Sequence, residues 1–253
     1  MNPRTVDAGN GWQWMVDGFT VFRKAALMWV AMTLLLTLMW LIMLMVPILG
    51  TMLFHLFTPV FVAGILIGCR TVENGEPLKI EMLFAGFKSN VPALVSVGGV
   101  FLAGSIIILG IVVVTAGASA LTMIKPGQTP DIDTAMTVMR GMGPALLTAF
   151  TLSLALYMLL LMAIWFAPAL IVFDNLGAVD AMKQSFAACL MNTLPFLVYG
   201  VVVGVLSVIA SIPLLLGLLI LLPVIYCSVY TSYKDIFASP PNVLPEPGNP
   251  LLK

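Results

Sequence analysis

Four long stretches of this chain contain no aspartate, glutamate, lysine or arginine, and they restrict its fold more than any other feature. They cover residues 25–69, 89–124, 141–173 and 184–233. A helix that crosses a bilayer needs about 20 mainly apolar residues. The first and last stretches are long enough for two such helices each, and the other two hold one each. The sequence therefore predicts an all-α polytopic membrane protein with six spans, at about 25–46, 51–69, 91–118, 144–172, 193–211 and 214–233.

The composition supports a bilayer as the solvent of this chain. Hydrophobic residues make up 61% of it and charged residues only 9%, whereas about a quarter of an average soluble domain is charged. Membrane strands are not predicted, because no segment alternates polar and apolar residues. The net charge is zero, so no attraction to nucleic acid is expected.

The distribution of positive charge predicts the orientation. With the N-terminus inside, nine of the 11 lysines and arginines lie on the cytoplasmic side and only Lys125 and Arg140 lie outside. Cytoplasmic loops carry such an excess of positive charge, so both termini are predicted to be cytoplasmic. The three cysteines, Cys69, Cys189 and Cys227, fall within spans or near the cytoplasmic face, where reduced thiols are expected.

Each pair of spans is preceded by a segment with the periodicity of an amphipathic helix, at about 12–24, 79–89 and 178–190. In the first segment Trp12, Val16, Phe19 and Phe22 recur at helical spacing, with polar residues on the opposite side. Helices of this kind lie in the plane of the membrane interface. We therefore expect three interfacial helices, each leading into a transmembrane hairpin.

The second span of each hairpin contains a proline that should kink it: Pro59, Pro168 and Pro223. These matches suggest three tandem repeats, 12–70, 79–176 and 178–237, within one membrane domain of residues 1–237. Chance similarity among apolar helices is the alternative. Residues 238–253 are rich in proline and are predicted to form a disordered cytoplasmic tail. Residues 134–142 are expected to form one short external helix.

Glycines in two spans predict close helix packing. Gly98 and Gly104 lie in the third span, and Gly200 and Gly204 form a G-x-x-x-G pattern in the fifth. Small residues let helix backbones approach closely. The pattern is compatible with packing inside one subunit and with a dimer of this chain, and the first is favoured.

The residues needed for catalysis are scattered. His55 is the only histidine, and no acidic or basic residue lies in the centre of a predicted span. The hypothesis for His55 is a hydrogen bond to a neighbouring helix, with proton handling as the alternative. A lipid-modifying enzyme would depend on Asp174 and Asn175, which also suit the end of a helix. We therefore expect no enzyme, no bound metal and no cofactor.

Charged groups instead collect at the predicted cytoplasmic face. The candidate contacts for lipid headgroups or for a protein partner are Arg23, Lys24, Arg70, Lys88, Asp174 and Lys183. Clusters of basic residues at this level attract anionic lipids. The alternative is that these side chains only extend to the interface from their helix ends. The expected partners are membrane lipids, and a second membrane protein or another copy of the chain.

Short motifs carry a resemblance to a known group. Residues 87–92, Phe-Lys-Ser-Asn-Val-Pro, and residues 185–192, Ser-Phe-Ala-Ala-Cys-Leu-Met-Asn, lead into spans, and Phe173-Asp174-Asn175 ends one. With these motifs the chain resembles uncharacterised bacterial inner-membrane proteins. That group includes the YciC-like proteins and the membrane domain of some glycerophosphoryl diester phosphodiesterases. The resemblance covers about residues 10–237 and implies six helices in the plasma membrane, without catalytic residues.

The leading hypothesis is therefore a non-enzymatic inner-membrane protein in lipid or envelope homeostasis, or an accessory subunit of a membrane complex. The alternative is a transporter or channel for an uncharged or amphipathic small molecule, with Pro59, Pro168 and Pro223 as hinges. A centre packed with large apolar side chains would argue against that alternative.

Overall fold

A computed structural model describes residues 3–123 and 143–237, with Met136 and Gly141 between them. The side chains of residues 116–123, most of the predicted external helix at 134–142 and the predicted tail at 238–253 lie outside this description. The described part contains helices and no strand. The α-helices are α1 (Asn10–Arg23), α2 (Ala26–Leu44), α3 (Leu49–Glu73), α4 (Val91–Met123), α5 (Gly143–Ile164), α6 (Ala167–Asp174), α7 (Ala178–Met191), α8 (Thr193–Ser211) and α9 (Leu218–Phe237), and a 3₁₀ helix covers Ile80–Lys88.

Five segments in this part are long and apolar enough to cross a membrane. They are Ala26–Leu44, Leu49–Glu73, Val91–Thr115, Gly143–Asp174 and Thr193–Ser211. The sixth predicted span, 214–233, overlaps the helix α9, which is not among these five. Its second half carries polar residues, including Thr231, Ser232 and Tyr233, and these side chains are buried against the rest of the protein. These polar residues lower the mean hydropathy of α9.

The fourth predicted span is broken into α5 and α6. Pro168 follows the break and has no N–H to donate. The hydroxyl of Ser185, on α7, enters the gap: it donates to the Met162 carbonyl oxygen at 2.7 Å and accepts from the Phe166 N–H at 2.9 Å. The serine thus satisfies two backbone groups that would bond to each other in an unbroken helix. Pro59 and Pro223 lie inside continuous helices.

The three predicted amphipathic segments are all helical, although the second is a 3₁₀ helix rather than an α-helix. The face of each helix that packs on the protein includes small residues: Gly18 on α1, Gly86 on the 3₁₀ helix, and Ala181 and Ser185 on α7 are buried, beside larger side chains such as Trp14 and Leu83. Small side chains are favoured there because they allow the helix backbones to touch.

Each amphipathic helix packs on a proline-containing segment. Helix α1 lies on α9, the 3₁₀ helix lies on α3, and α7 lies on α5 and α6. A β-carbon added at Gly18 would lie 2.7 Å from the Ser228 nitrogen, and one added at Gly86 would lie 2.0 Å from the Val60 carbonyl oxygen. The contacts are therefore between backbones.

The proline-containing segments supply much of the buried core. Val60, Leu66, Cys69, Leu170 and Cys227 are fully buried. The Sγ atoms of Cys69 and Cys227 lie 3.6 Å apart, and both cysteines are free thiols. The centre is thus filled with apolar and thiol side chains.

The glycine patterns have two different outcomes. A β-carbon at Gly98 would lie 2.0 Å from the Leu56 carbonyl oxygen, and one at Gly104 would lie 2.8 Å from the Leu160 side chain. Both positions therefore pack helices inside the subunit. Nothing in the described chain lies within 4 Å of a β-carbon at Gly200 or Gly204. The prediction that the G-x-x-x-G pattern packs helices inside one subunit is therefore wrong.

Candidate functional site

A cluster of polar side chains lies at the end of the bundle where α3, α6 and the second half of α9 meet. Six side chains lie there, and we call them the end cluster: Arg70, Glu73, Asp174, Tyr230, Tyr233 and Lys234. Arg70 and Glu73 come from the last turn of α3, and Asp174 ends α6. The three proline-containing segments thus end at one place.

Two tyrosines of α9 hold the carboxylates of the other segments. The Tyr230 hydroxyl donates to Glu73 at 2.8 Å, and Lys234 pairs with the same carboxylate at 2.5 Å. The Tyr233 hydroxyl donates to Asp174 at 2.7 Å. Hydrogen bonds to charged acceptors are stronger than those between neutral groups. These contacts tie the ends of α3 and α6 to α9.

Arg70 has a different environment from Lys234. Its guanidinium carbon lies 5.4 Å from the centre of the Phe173 ring, a cation–π arrangement, and its side chain is exposed. In the described chain Arg70 takes part in no ion pair. Lys24, at the end of α1, is close enough to act on Glu73 by charge. With Lys24 included, three positive groups lie near two carboxylates in this part of the structure.

A second polar group ties the N-terminal segment to the end of α9. The Asp235 carboxylate accepts hydrogen bonds from Arg4 at 2.6 Å, Asn10 at 2.7 Å and the Trp14 indole at 2.8 Å. The Arg4 N–H donates to the Ile236 carbonyl oxygen at 3.0 Å. Asn192 extends the network, because its side chain bonds to the backbone of Val6 and Arg4.

The pKa of Asp235, which lies beyond the sixth predicted span at 214–233, reflects this network. Burial acts to raise the pKa, but the bonds from Asn10, Trp14 and Arg4 outweigh it and lower the pKa below its ordinary value. Because the pKa is lowered in the folded state, the charged Asp235 carboxylate stabilises the contact fully when the pH is above the pKa of the unfolded state. The stabilisation is lost as the pH falls through the folded value.

We expect Asp235→Asn to free the segment 3–10 at neutral pH. Asparagine accepts fewer bonds and carries no charge for Arg4, so backbone amides of this segment should exchange with solvent several-fold faster in hydrogen-exchange mass spectrometry. In the native protein, protection should persist until the pH drops below the ordinary range of an aspartate. Asp180→Asn, at an exposed position of α7, is the control. Equal protection in both variants would refute a clamp at Asp235.

The residues predicted as contacts have different positions. Arg70 and Asp174 belong to the end cluster. Arg23 and Lys24 are exposed at the end of α1, Lys88 is exposed at the end of the 3₁₀ helix, and Lys183 is exposed on α7. Tyr230 was not predicted as a site residue, because a tyrosine near the end of an apolar span commonly only marks the membrane interface. Its spacing of four residues from Lys234 on one helix face was the available signal.

Other groups considered for chemistry have local partners. The His55 Nδ1 atom lies 2.8 Å from the Thr51 carbonyl oxygen of its own helix, and its ring stacks on Phe101 at 5.5 Å. Within residues 3–123 and 143–237, no group of three or more histidine, cysteine, aspartate or glutamate side chains is placed to hold a metal ion. The end cluster has donors and acceptors that suit a polar headgroup.

Comparison with known proteins gives one relative. A protein of Burkholderia thailandensis, named a probable inner membrane protein, is 26% identical over an alignment that covers 98% of this chain and 96% of that protein. No protein-family model matches the chain. No solved structure matches it. The full-length similarity and the five apolar segments together identify a transmembrane protein of the inner membrane.

Proposed function

We propose that this protein is a non-enzymatic inner-membrane protein that engages membrane lipids at one face of the bilayer and acts in lipid or envelope homeostasis. One observation carries the proposal: each amphipathic helix leaves large apolar side chains exposed, although Trp14 and Phe22 of α1 and Leu83 of the 3₁₀ helix are buried. The exposed set comprises Trp12, Val16 and Phe19 on α1, Ile80, Phe84 and Phe87 on the 3₁₀ helix, and Val179 and Leu190 on α7. We call these side chains the outward set.

The outward set has the character of an interfacial anchor. Trp12 is 55% exposed and Leu190 is 58% exposed, which would be costly in water for side chains of this size. Basic residues accompany the set on all three helices, namely Arg23, Lys88 and Lys183. Apolar side chains beside lysine or arginine are the pattern of helices that lie among lipid headgroups.

The proposal includes six spans with both termini on one side. Arg4 contacts Asp235 and Ile236, so the two ends of the described chain lie together. An even number of crossings is needed for that arrangement, and the five apolar segments become six when α9 is counted. The positive-inside pattern then favours the cytoplasm for this side.

The packing of the core favours lipid engagement over the transporter or channel alternative. Fully buried side chains such as Leu66, Cys69 and Leu170 fill the space between the proline-containing segments. A central path would require these segments to separate, against the hydrogen bonds of Glu73 and Asp174 to α9.

Extraction in lipid-retaining polymer discs tests the proposal. The discs would be analysed for lipids and proteins, beside an unrelated six-span protein and the double variant Val179→Ser, Leu190→Ser. We expect an anionic lipid class to be enriched severalfold over the unrelated protein, and less so in the variant, because serine removes apolar contact with the interface. Val205→Ser, at an exposed site within α8, is the matched control. A stoichiometric protein partner without lipid enrichment would overturn the lipid proposal in favour of an accessory subunit.

A further inference from the structure

A groove runs between α1 and the last hairpin, α8 and α9. Its volume is about 420 Å³, and nearly all of its surface is apolar. The walls are formed by one face of α1, the second half of α8 and the first half of α9. Its lining includes Trp12, Val16 and Phe19 of α1, Leu206 and Ala210 of α8, and Val224 of α9.

The stripe of α1 that lines the groove ends in a cation. Trp12, Val16 and Phe19 follow one another at helical spacing, and Arg23 stands one turn after Phe19 on the same face. Arg23 is exposed and takes part in no ion pair in the described chain. Lys24 beside it is near the end cluster. An apolar groove thus lies next to uncompensated positive charge.

We propose that the groove holds one acyl chain of an anionic phospholipid whose phosphate lies against Arg23. This inference rests on the proposed lipid engagement and gives it a defined site. The charge is complementary, because a guanidinium pairs with phosphate oxygens. The size also fits: pockets of this order hold small ligands, whereas a packed helix is about 10 Å across and needs a larger space.

The physical source of selectivity follows from the membrane environment. An acyl chain in the bilayer is already out of water, so its transfer into the groove gains little from the hydrophobic effect. A lipid is retained there only if the groove fits the chain closely and Arg23 holds the headgroup. Retention therefore depends on the charge of the headgroup as well as on the shape of the groove.

Native mass spectrometry of the detergent-purified full chain tests the site, after loading with phosphatidylglycerol or with phosphatidylcholine and a delipidating wash. We expect one phosphatidylglycerol retained per chain, at least fivefold more than phosphatidylcholine. Ala210→Phe, which fills the groove, should abolish retention, and Arg23→Gln should reduce it to the phosphatidylcholine level. Val208→Phe, exposed on α8 outside the groove lining, should retain the lipid like the native protein.

A second measurement does not depend on the folding of the Ala210 variant. Phosphatidylglycerol with brominated chains, added at one molecule per chain, should quench the fluorescence of the native protein. It should quench the Trp12→Phe variant less, since Trp12 lines the groove. Equal retention by the Ala210→Phe and Val208→Phe variants, or equal quenching with and without Trp12, would overturn the groove site. Lipid enrichment in polymer discs that persisted in that case would leave the proposed function standing and remove only the site.

Discussion

Gly86→Val is expected to prevent stable folding of the protein. A β-carbon at this position would lie 2.0 Å from the Val60 carbonyl oxygen and 2.9 Å from the Val60 carbonyl carbon. Backbone atoms cannot rotate away, so the 3₁₀ helix would have to leave α3 and expose the buried Leu83. Overpacking alone costs about 1–3 kcal/mol, and loss of the docked helix adds to it. We expect aggregation or a large fall in the melting temperature on size-exclusion chromatography and thermal scanning.

Gly204→Val is the matched control for this substitution. Both changes replace glycine with the same β-branched residue, but nothing in the described chain lies within 4 Å of a β-carbon at Gly204. The control should shift stability by no more than about 0.5 kcal/mol. A folded Gly86→Val protein with native stability would show that the 3₁₀ helix does not contact α3 in this way.

Ser185→Ala has the second largest expected effect, a loss of about 3 kcal/mol in the free energy of unfolding. The substitution removes the hydroxyl that bonds to the Met162 carbonyl oxygen and the Phe166 N–H at the break between α5 and α6. Both backbone groups would then be buried without partners, or the break would close and move α6. Thermal unfolding in detergent, with hydrogen exchange of residues 160–170, measures the effect.

Ser153→Ala controls for the loss of a serine hydroxyl in the same part of the protein. The Ser153 hydroxyl is buried on α5 and has no partner in the described chain, so its removal should be neutral or slightly stabilising. Similar losses of stability in the two variants would contradict a special role for Ser185.

The positions of the helices follow from the sequence because charge and hydropathy decide them. A lysine or arginine in the middle of the bilayer is costly, so the charge-free stretches locate the apolar helices to within a few residues. The amphipathic helices were also predicted from the sequence, because their apolar residues recur at helical spacing. A kink at Pro168 was predicted, but a complete break at residues 165–166 was not, because the break depends on a serine that is distant in the sequence.

The packing faces were harder to predict than the helices. In water, large apolar side chains turn inward, and periodicity then identifies the buried face. In a membrane they are equally stable in lipid, so small residues such as Gly18, Gly86 and Ser185 can determine the contact. The sequence showed these residues but gave no sign of their partners on α9, α3 and α5.

The end cluster was predicted in part. Arg70 and Asp174 followed from the accumulation of polar residues at span ends. The pairing of Glu73 with Tyr230, and of Asp174 with Tyr233, required knowledge of which helices meet. The same holds for the contact of Cys69 with Cys227 and for the groove beside α1, because both join segments from opposite ends of the chain.

Spin-label accessibility in lipid discs tests most directly whether the amphipathic helices engage lipid. Nitroxides would be attached at Phe19→Cys, Ile80→Cys and Leu190→Cys, one per helix; the native cysteines are buried. The account predicts that all three labels collide readily with dissolved oxygen and only weakly with a water-soluble nickel complex, at a shallow depth common to the three helices. Labels that collide mainly with the nickel complex would place the outward set in water and contradict the proposed engagement of lipids.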